Sequence, residues 1–296
     1  MDKTNINIEK AQELPDFIKL WNFGNPSETE KKFRELLPIA ESSRDLSYLA
    51  QLLTQVARTL GLQSKFDDAH SVLDKVEKIL SEDLKLAKVR YLLERGRVFN
   101  SSNLQDEALP LFSEASELAQ SIGETNLAID AVHMVAIAIK DPKDQVEWNL
   151  KGIGLTEKSE KSHGWLNAFY NNIGESYLLL KDYENARYYF HKLAELQREK
   201  RGEADVYTLK DEARAIRLSG NPIEALQIIE PILRKLESEQ LDDGWIREEM
   251  AENLEALGKT KEAKKHFVKA YELLSLDKWC LENEKDKIER LRKMAQ

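Results

Sequence analysis

The clearest hydrophobic pattern in the chain runs from Asn167 to about Lys200. Tyr170, Ile173, Gly174 and Tyr177 fall at offsets 0, 3, 4 and 7, one stripe along a helix. The polar stretch Lys181-Asp182-Tyr183-Glu184 interrupts it, and Ala186, Phe190 and Leu193 then resume the helical spacing. The pattern predicts two antiparallel helices joined by a short turn. Gly174 and Ala186 are small where the two backbones must approach, and Phe190 fills the space beside them.

The same frame recurs along the chain. Leu53, Val56, Ala57, Leu60, Ala69, Leu73 and Val76 form an earlier unit, and Leu92, Gly96, Phe99, Ala108, Phe112 and Ala115 the next. Leu209, Ala213, Ile216, Ala225, Ile229 and Ile232 form another, and Met250, Ala251, Leu254, Ala263, Phe267 and Ala270 close the series. Between these, Val132, Val135, Ala136 and Ile139 fit a first helix. Its partner carries Trp148 where alanine is expected, after a break at Asp141-Pro142. Phe17, Leu20 and Trp21, then Gly24-Asn25-Pro26-Ser27, Phe33 and Leu36, read as an atypical first unit.

Ala69, Ala108, Ala186, Ala225 and Ala263 are separated by steps of 39, 78, 39 and 38, the long step being two units. Such a period predicts an all-α, right-handed α-solenoid of about seven helix-turn-helix units. The expected repeats are 10–43, 50–83, 89–122, 129–160, 167–200, 206–238 and 244–276, in a single domain over 1–296. Residues 277–296 predict a polar capping helix with Trp279, Ile288 and Leu291 facing in.

Tyr170-x-x-Ile173-Gly174-x-x-Tyr177 with Ala186 and Phe190 resembles the tetratricopeptide repeat (TPR) signature, and the resemblance covers roughly residues 10 to 275. The period departs from it, 38 to 40 here against about 34 in a standard TPR. The extra residues fall between repeats, as in Gly123-Glu124-Thr125 and Glu239-Gln240-Leu241-Asp242-Asp243. Long-period arrays of this kind are similar to those of bacterial regulators and of small stand-alone bacterial TPR proteins of unassigned activity. HEAT repeats share a period near 40, but the paired small residues favour TPR packing.

Composition agrees with thin stacked layers: 42% hydrophobic and 33% charged residues leave each helix one wet face. With 12 Gly and 7 Pro there is no room for extensive loops or a sandwich of short strands. The formal charge of −9 argues against nucleic acid or an anionic membrane as partner. The longest nearly apolar run, Ala128 to Ile139, contains Asp130 and His133 and falls well short of the ~20 residues that span a bilayer. Met1 to Asn5 lacks the basic start and apolar core of a signal peptide, so a cytoplasmic protein is expected.

Candidate chemistry is sparse. The lone Cys280 forms no intramolecular disulfide and reads as an apolar filler. His70, His133, His163, His191 and His266 are spread along the array. His133 is either a hydrogen-bonded, half-buried side chain or a ligand contact. His191 and Glu195 lie one turn apart without a third metal ligand. Gly152-Ile153-Gly154 does not continue into a nucleotide loop. No cofactor, metal or catalytic centre is expected.

The TPR resemblance implies that the first helices line a concave face. The frame places Gln51, Thr54 and Arg58 there, then Arg90, Leu93 and Arg97, then Asp130, His133 and Ile137. Asn171 and Glu175 follow, then Tyr207, Lys210 and Arg214, and finally Trp245, Glu248 and Glu252. Arg58, Arg97 and Arg214 share one offset, with Arg90 and Lys210 beside them. They make either a groove for an acidic segment or C-terminal carboxylate, or salt bridges within and between repeats. In the first case Asn171 or Asn172 pins a peptide backbone. Tyr207 and Trp245 are either aromatic anchors or covers of repeat junctions. The chaperone-type carboxylate clamp is not reproduced at consecutive repeats. The expected function is an intracellular, monomeric, non-catalytic scaffold for a protein or peptide. The alternatives are a regulator whose superhelix changes shape on binding a peptide or metabolite, and a divergent enzyme with a site near His133.

Overall fold

The computed structural model describes residues 14–158 and 160–296; the Met1 to Asn5 segment and the expected repeat start at residue 10 lie outside them. All regular structure among the described residues is helical, as the periodicity predicts. Helix contacts divide the chain into two units, one up to Lys140 and one from Asp141. The first holds α1 (Pro26–Ser42), α2 (Leu46–Leu62), α3 (Phe66–Ile79), α4 (Lys85–Ser101), α5 (Gln105–Ser121) and α6 (Thr125–Ala138). The second holds α7 (Pro142–Thr156), α8 (Leu166–Leu179), α9 (Tyr183–Arg201), α10 (Val206–Leu218) and α11 (Pro222–Ser238). It continues through α12 (Gly244–Ala256), α13 (Thr260–Leu274), α14 (Lys278–Asn283) and α15 (Lys285–Ala295).

Within each unit, helices consecutive in sequence pack as hairpins, and first helices also pack on one another: α2 on α4, and α10 on α12. In the atypical first hairpin a single 3-10 turn, Phe17–Leu20, stands where a first helix is expected. Its Phe17 is buried edge-on against Phe33, with centroids 6.3 Å apart.

The turn inside each hairpin repeats as faithfully as the alanines. Ser64, Asn103, Lys181, Gly220 and Gly258 all have positive φ. The amide of each following residue donates to a carbonyl five back: Lys65 to Leu60, Leu104 to Phe99, Asp182 to Tyr177, Asn221 to Ile216 and Lys259 to Leu254. This is the 6→1 bond of a Schellman cap, which satisfies an orphan carbonyl and reverses the chain.

Small-against-large packing closes the hairpins. A Cβ added at Gly96 would lie 2.5 Å from the Phe112 ring, and one at Gly174 would lie 2.6 Å from Phe190. Leu73, Ile229 and Phe267 are buried at the position equivalent to Phe112 and Phe190. α7 departs from this rule: Gly152 holds that position, and Phe169 of α8 fills the space from the neighbouring helix, 2.2 Å from where a Cβ would stand. The ring comes from the adjacent helix, which keeps the layer filled despite Trp148 in place of alanine.

The tail corrects the expected cap. It is two helices, α14 and α15, and Trp279 is 57% exposed. Asp277 caps α14 by accepting from the Cys280 amide, and in that six-residue helix Cys280 turns inward instead. Burial, with Asp277 alongside, pushes the Cys280 thiol up to about 11, which suits a filler. Leu291 faces in as expected, and Ile288 packs beside it.

Candidate functional site

The predicted concave residues fall in both units, and their local environments differ. In the first unit Arg58, Arg90 and Arg97 are engaged by neighbouring helices. Arg97 on α4 donates to both oxygens of Asp130 on α6, at 2.5 and 2.6 Å, and to Glu94 at 2.6 Å. Arg58 on α2 reaches the other Glu94 oxygen at 3.2 Å. Its guanidinium also stands 6.0 Å from the Trp21 ring centroid and 5.7 Å from that of Phe23. Arg90 donates to Gln51 at 3.0 Å. Arg58, Glu94, Arg97 and Asp130 thus form one chain of alternating charge across three first helices. His133 lies within the field of Asp130 and Arg97, and burial holds it below its usual range, so it is neutral at pH 7.

In the second unit Tyr207, Lys210 and Arg214 of α10 and Trp245 of α12 come together, with Asn171 and Asn172 of α8 beside them. Lys210, Arg214 and Trp245 line a cavity of about 280 Å³ that α15 completes with Lys287 and Arg290. Five cations and three carboxylates, Glu248, Glu249 and Glu252, surround it. Most of this charge is internally matched. Arg217 holds Glu249 through two bonds of 2.7 and 3.0 Å. Lys287 meets Glu248 at 3.2 Å, and Arg290 grips both Glu248 and Glu252. Lys210 is paired with its neighbour Asp211 at 2.7 Å. Of the guanidiniums that line the cavity, Arg214 alone has no salt bridge among the described residues.

Two further features shape the surface. The Trp245 ring is flanked by ammonium groups, Lys287 at 4.5 Å and Lys210 at 5.7 Å from its centroid. Glu175 on α8 acts electrostatically on Arg214 and Lys210, yet burial, reinforced by Asp211, raises its carboxyl above the usual range. Beside this lies a second cavity of about 440 Å³ lined by Asn167, Asn171, Asn172, Tyr207 and Asp211 among others. Asn171 is exposed. Asn172 makes a long 3.5 Å contact to Asn149. Tyr207 donates to Asp243 at 2.7 Å, which lifts its phenol to about 12.

Arg217, Lys287 and Arg290 were not among the residues expected at the site. Lys287 follows Glu248 by 39 residues, the repeat step itself. Carrying the concave frame into the tail finds it. His191 contacts Glu212 at 2.8 Å and Glu195 at 3.6 Å. No group of three metal-ligating side chains gathers among the described residues. No helix among them is long and apolar enough to cross a membrane.

No protein-family model matches the chain, and no curated protein does either. Solved structures do match, and they carry the TPR fold. The chain is similar to the Signal Transduction ATPase with Numerous Domains (STAND) protein with a tetratricopeptide repeat sensor from Pyrococcus horikoshii, at TM-score 0.70 and 16% identity. That match covers 90% of this chain and spans 42% of the STAND protein. A tetratricopeptide repeat protein from Parabacteroides merdae matches at TM-score 0.54 and 16% identity, over 94% of this chain and 96% of its own. NprR in complex with its cognate peptide NprX matches at TM-score 0.53 and 17% identity, over 93% and 81% of the two chains. The likeness at these identities is one of fold: tandem TPR-like helical hairpins.

Proposed function

We propose that the chain is a non-catalytic, cytoplasmic scaffold for a protein or peptide, bound along the face that α8, α10, α12 and α15 share in the second unit. Arg214 carries this reading. It is a guanidinium without a salt bridge among the described residues, in a cavity that Trp245 also lines and whose other arginines are occupied. A guanidinium binds a carboxylate through two parallel bonds, so the matching group is a single carboxylate of the partner, on an acidic side chain or at a chain end. Asn171 and Asn172, in the adjoining cavity, supply amides for the main chain that leads to it. The NprR–NprX complex supports the reading, because a chain of similar fold is there in complex with its cognate peptide.

The test is peptide binding followed by fluorescence anisotropy, with acidic and free-carboxylate peptides against amidated, neutral controls. Arg214→Gln should weaken the acidic peptides at least tenfold and leave the neutral ones unchanged. Equal binding by wild type and variant would remove Arg214 from the interface. The tetratricopeptide sensor of the STAND neighbour favours a related reading in which occupancy repacks the helices. A change in small-angle scattering radius on saturation with the same peptide distinguishes it from a passive scaffold.

A further inference from the structure

The α8–α9 hairpin carries tyrosine at positions where most other hairpins carry aliphatic side chains. Tyr170 stands where Leu53, Leu92 and Leu209 stand, Tyr177 where Leu60, Ile216 and Leu254 stand, and Tyr189 where Val72, Leu111 and Ile228 stand. Tyr188 adds a fourth ring, 49% exposed. Tyr189 is the hub of the group. Its centroid lies 5.8 Å from Tyr177 in a near-parallel stack, 6.1 Å from Tyr170 and 5.1 Å from Tyr188 edge-on. Lys192 sits 4.8 Å from the Tyr188 ring centroid and 5.8 Å from that of Tyr170.

Packing alone does not call for these phenols, since leucine, isoleucine or valine fills most of the equivalent positions elsewhere in the array. A half-buried hydroxyl loses free energy unless water or a ligand hydrogen-bonds it. The hydroxyls of Tyr170, Tyr177 and Tyr189 make no hydrogen bond to protein among the described residues and are not among the buried unpartnered atoms, so they stand open to solvent or to a partner's acceptors. Burial raises the pKa of Tyr170 and Tyr189, so both keep their protons at neutral pH. The patch therefore combines aromatic faces with phenolic and ammonium donors on one side of one hairpin.

We propose that this face binds a proline-rich segment in the polyproline II conformation. Proline has no N–H, and a polyproline II helix makes no internal hydrogen bonds, so its carbonyls point outward as acceptors in need of donors. Pyrrolidine rings pack on aromatic faces, and the preformed helix gives up little entropy on binding. Rings with donors between them match rings with acceptors between them. None of the four tyrosines lines the Arg214 cavity, so this surface and the proposed acidic-peptide site stand or fall separately.

The experiment titrates the full chain into fluorescently labelled deca-L-proline, with a Gly-Ser decamer as control. The tyrosine variant is Tyr177→Leu with Tyr189→Leu, which restores side chains that neighbouring hairpins already carry and so preserves the helical circular dichroism. Deca-L-proline should bind where the Gly-Ser peptide does not, and the leucine variant should lose at least tenfold in affinity. Tyr177→Phe with Tyr189→Phe keeps the rings and removes the donors, and should lose at least threefold. Arg214→Gln should bind deca-L-proline as wild type does. Failure of wild type to bind it, or equal binding by the leucine variant, overturns the proposal. So does a wild-type dimer in sedimentation equilibrium that the leucine variant dissolves, because the occupant of the face is then a second copy.

Discussion

Glu94→Gln tests whether the first-unit arginines belong to the fold. Glu94 is 4% exposed, and its two oxygens serve Arg97 at 2.6 Å and Arg58 at 3.2 Å. A pair of unit charges about 4 Å apart is worth roughly 4 kcal/mol at an effective dielectric near 20, and removing one partner of a buried pair costs about 3–5 kcal/mol. Two facts lower the figure here. Arg97 keeps both oxygens of Asp130, and the Arg58 side chain is 24% exposed and still faces Trp21 and Phe23. The expected cost is about 2–3 kcal/mol. Native-state hydrogen exchange at the α4 amides reads it as a roughly 30- to 140-fold faster exchange, at about 1.4 kcal/mol per tenfold. Combining Glu94→Gln with Asp130→Asn strands the Arg97 guanidinium, so the double variant should cost more than the sum of its parts. A change below about threefold for Glu94→Gln would refute the reasoning and return Arg58 and Arg97 to the list of candidate ligand contacts.

Gly174→Ala places a methyl 2.6 Å from the Phe190 ring and should cost about 1–3 kcal/mol by urea denaturation. Gly61→Ala meets its nearest neighbour, Val98, at 3.7 Å and should instead be neutral or stabilising by up to about 1 kcal/mol. Equal effects would deny that glycine is needed for helix approach. Glu175 has a folded pKa above its ordinary value of 4.5, so the folded chain holds this proton more tightly than the unfolded one. Stability is then lost as pH rises through that window. Glu175→Gln should therefore melt higher than wild type at pH 7, with the gap closing as pH falls towards 4.5. The same substitution removes a carboxylate that competes for the field of Arg214, and should tighten acidic peptides; weaker binding would contradict the site.

The helices were legible because they rest on local rules. A 3.6-residue period, a small residue where backbones cross and a chain reversal every 38 to 40 residues are all written in the order of side chains. Even the left-handed turn residues keep that step, from Ser64 and Asn103 to Gly220 and Gly258. Trp279 was misplaced because α14 begins at the Asp277 cap and ends after six residues, which resets the helical phase that a continuous tail would have kept.

The site was legible in its positions and not in its pairings. Arg58, Arg97 and Arg214 share one offset, and the sequence by itself determined that all three stand on the same stripe of their helices. Only the tertiary structure decided that Arg97 meets Asp130 and Glu94, and that Arg58 meets Glu94. It left Arg214 facing Glu175 without a salt bridge among the described residues. Periodicity is a property of one helix, set by backbone geometry. A salt bridge depends on distances of a few ångströms between helices about 40 residues apart in sequence, and those follow from how neighbouring layers pack.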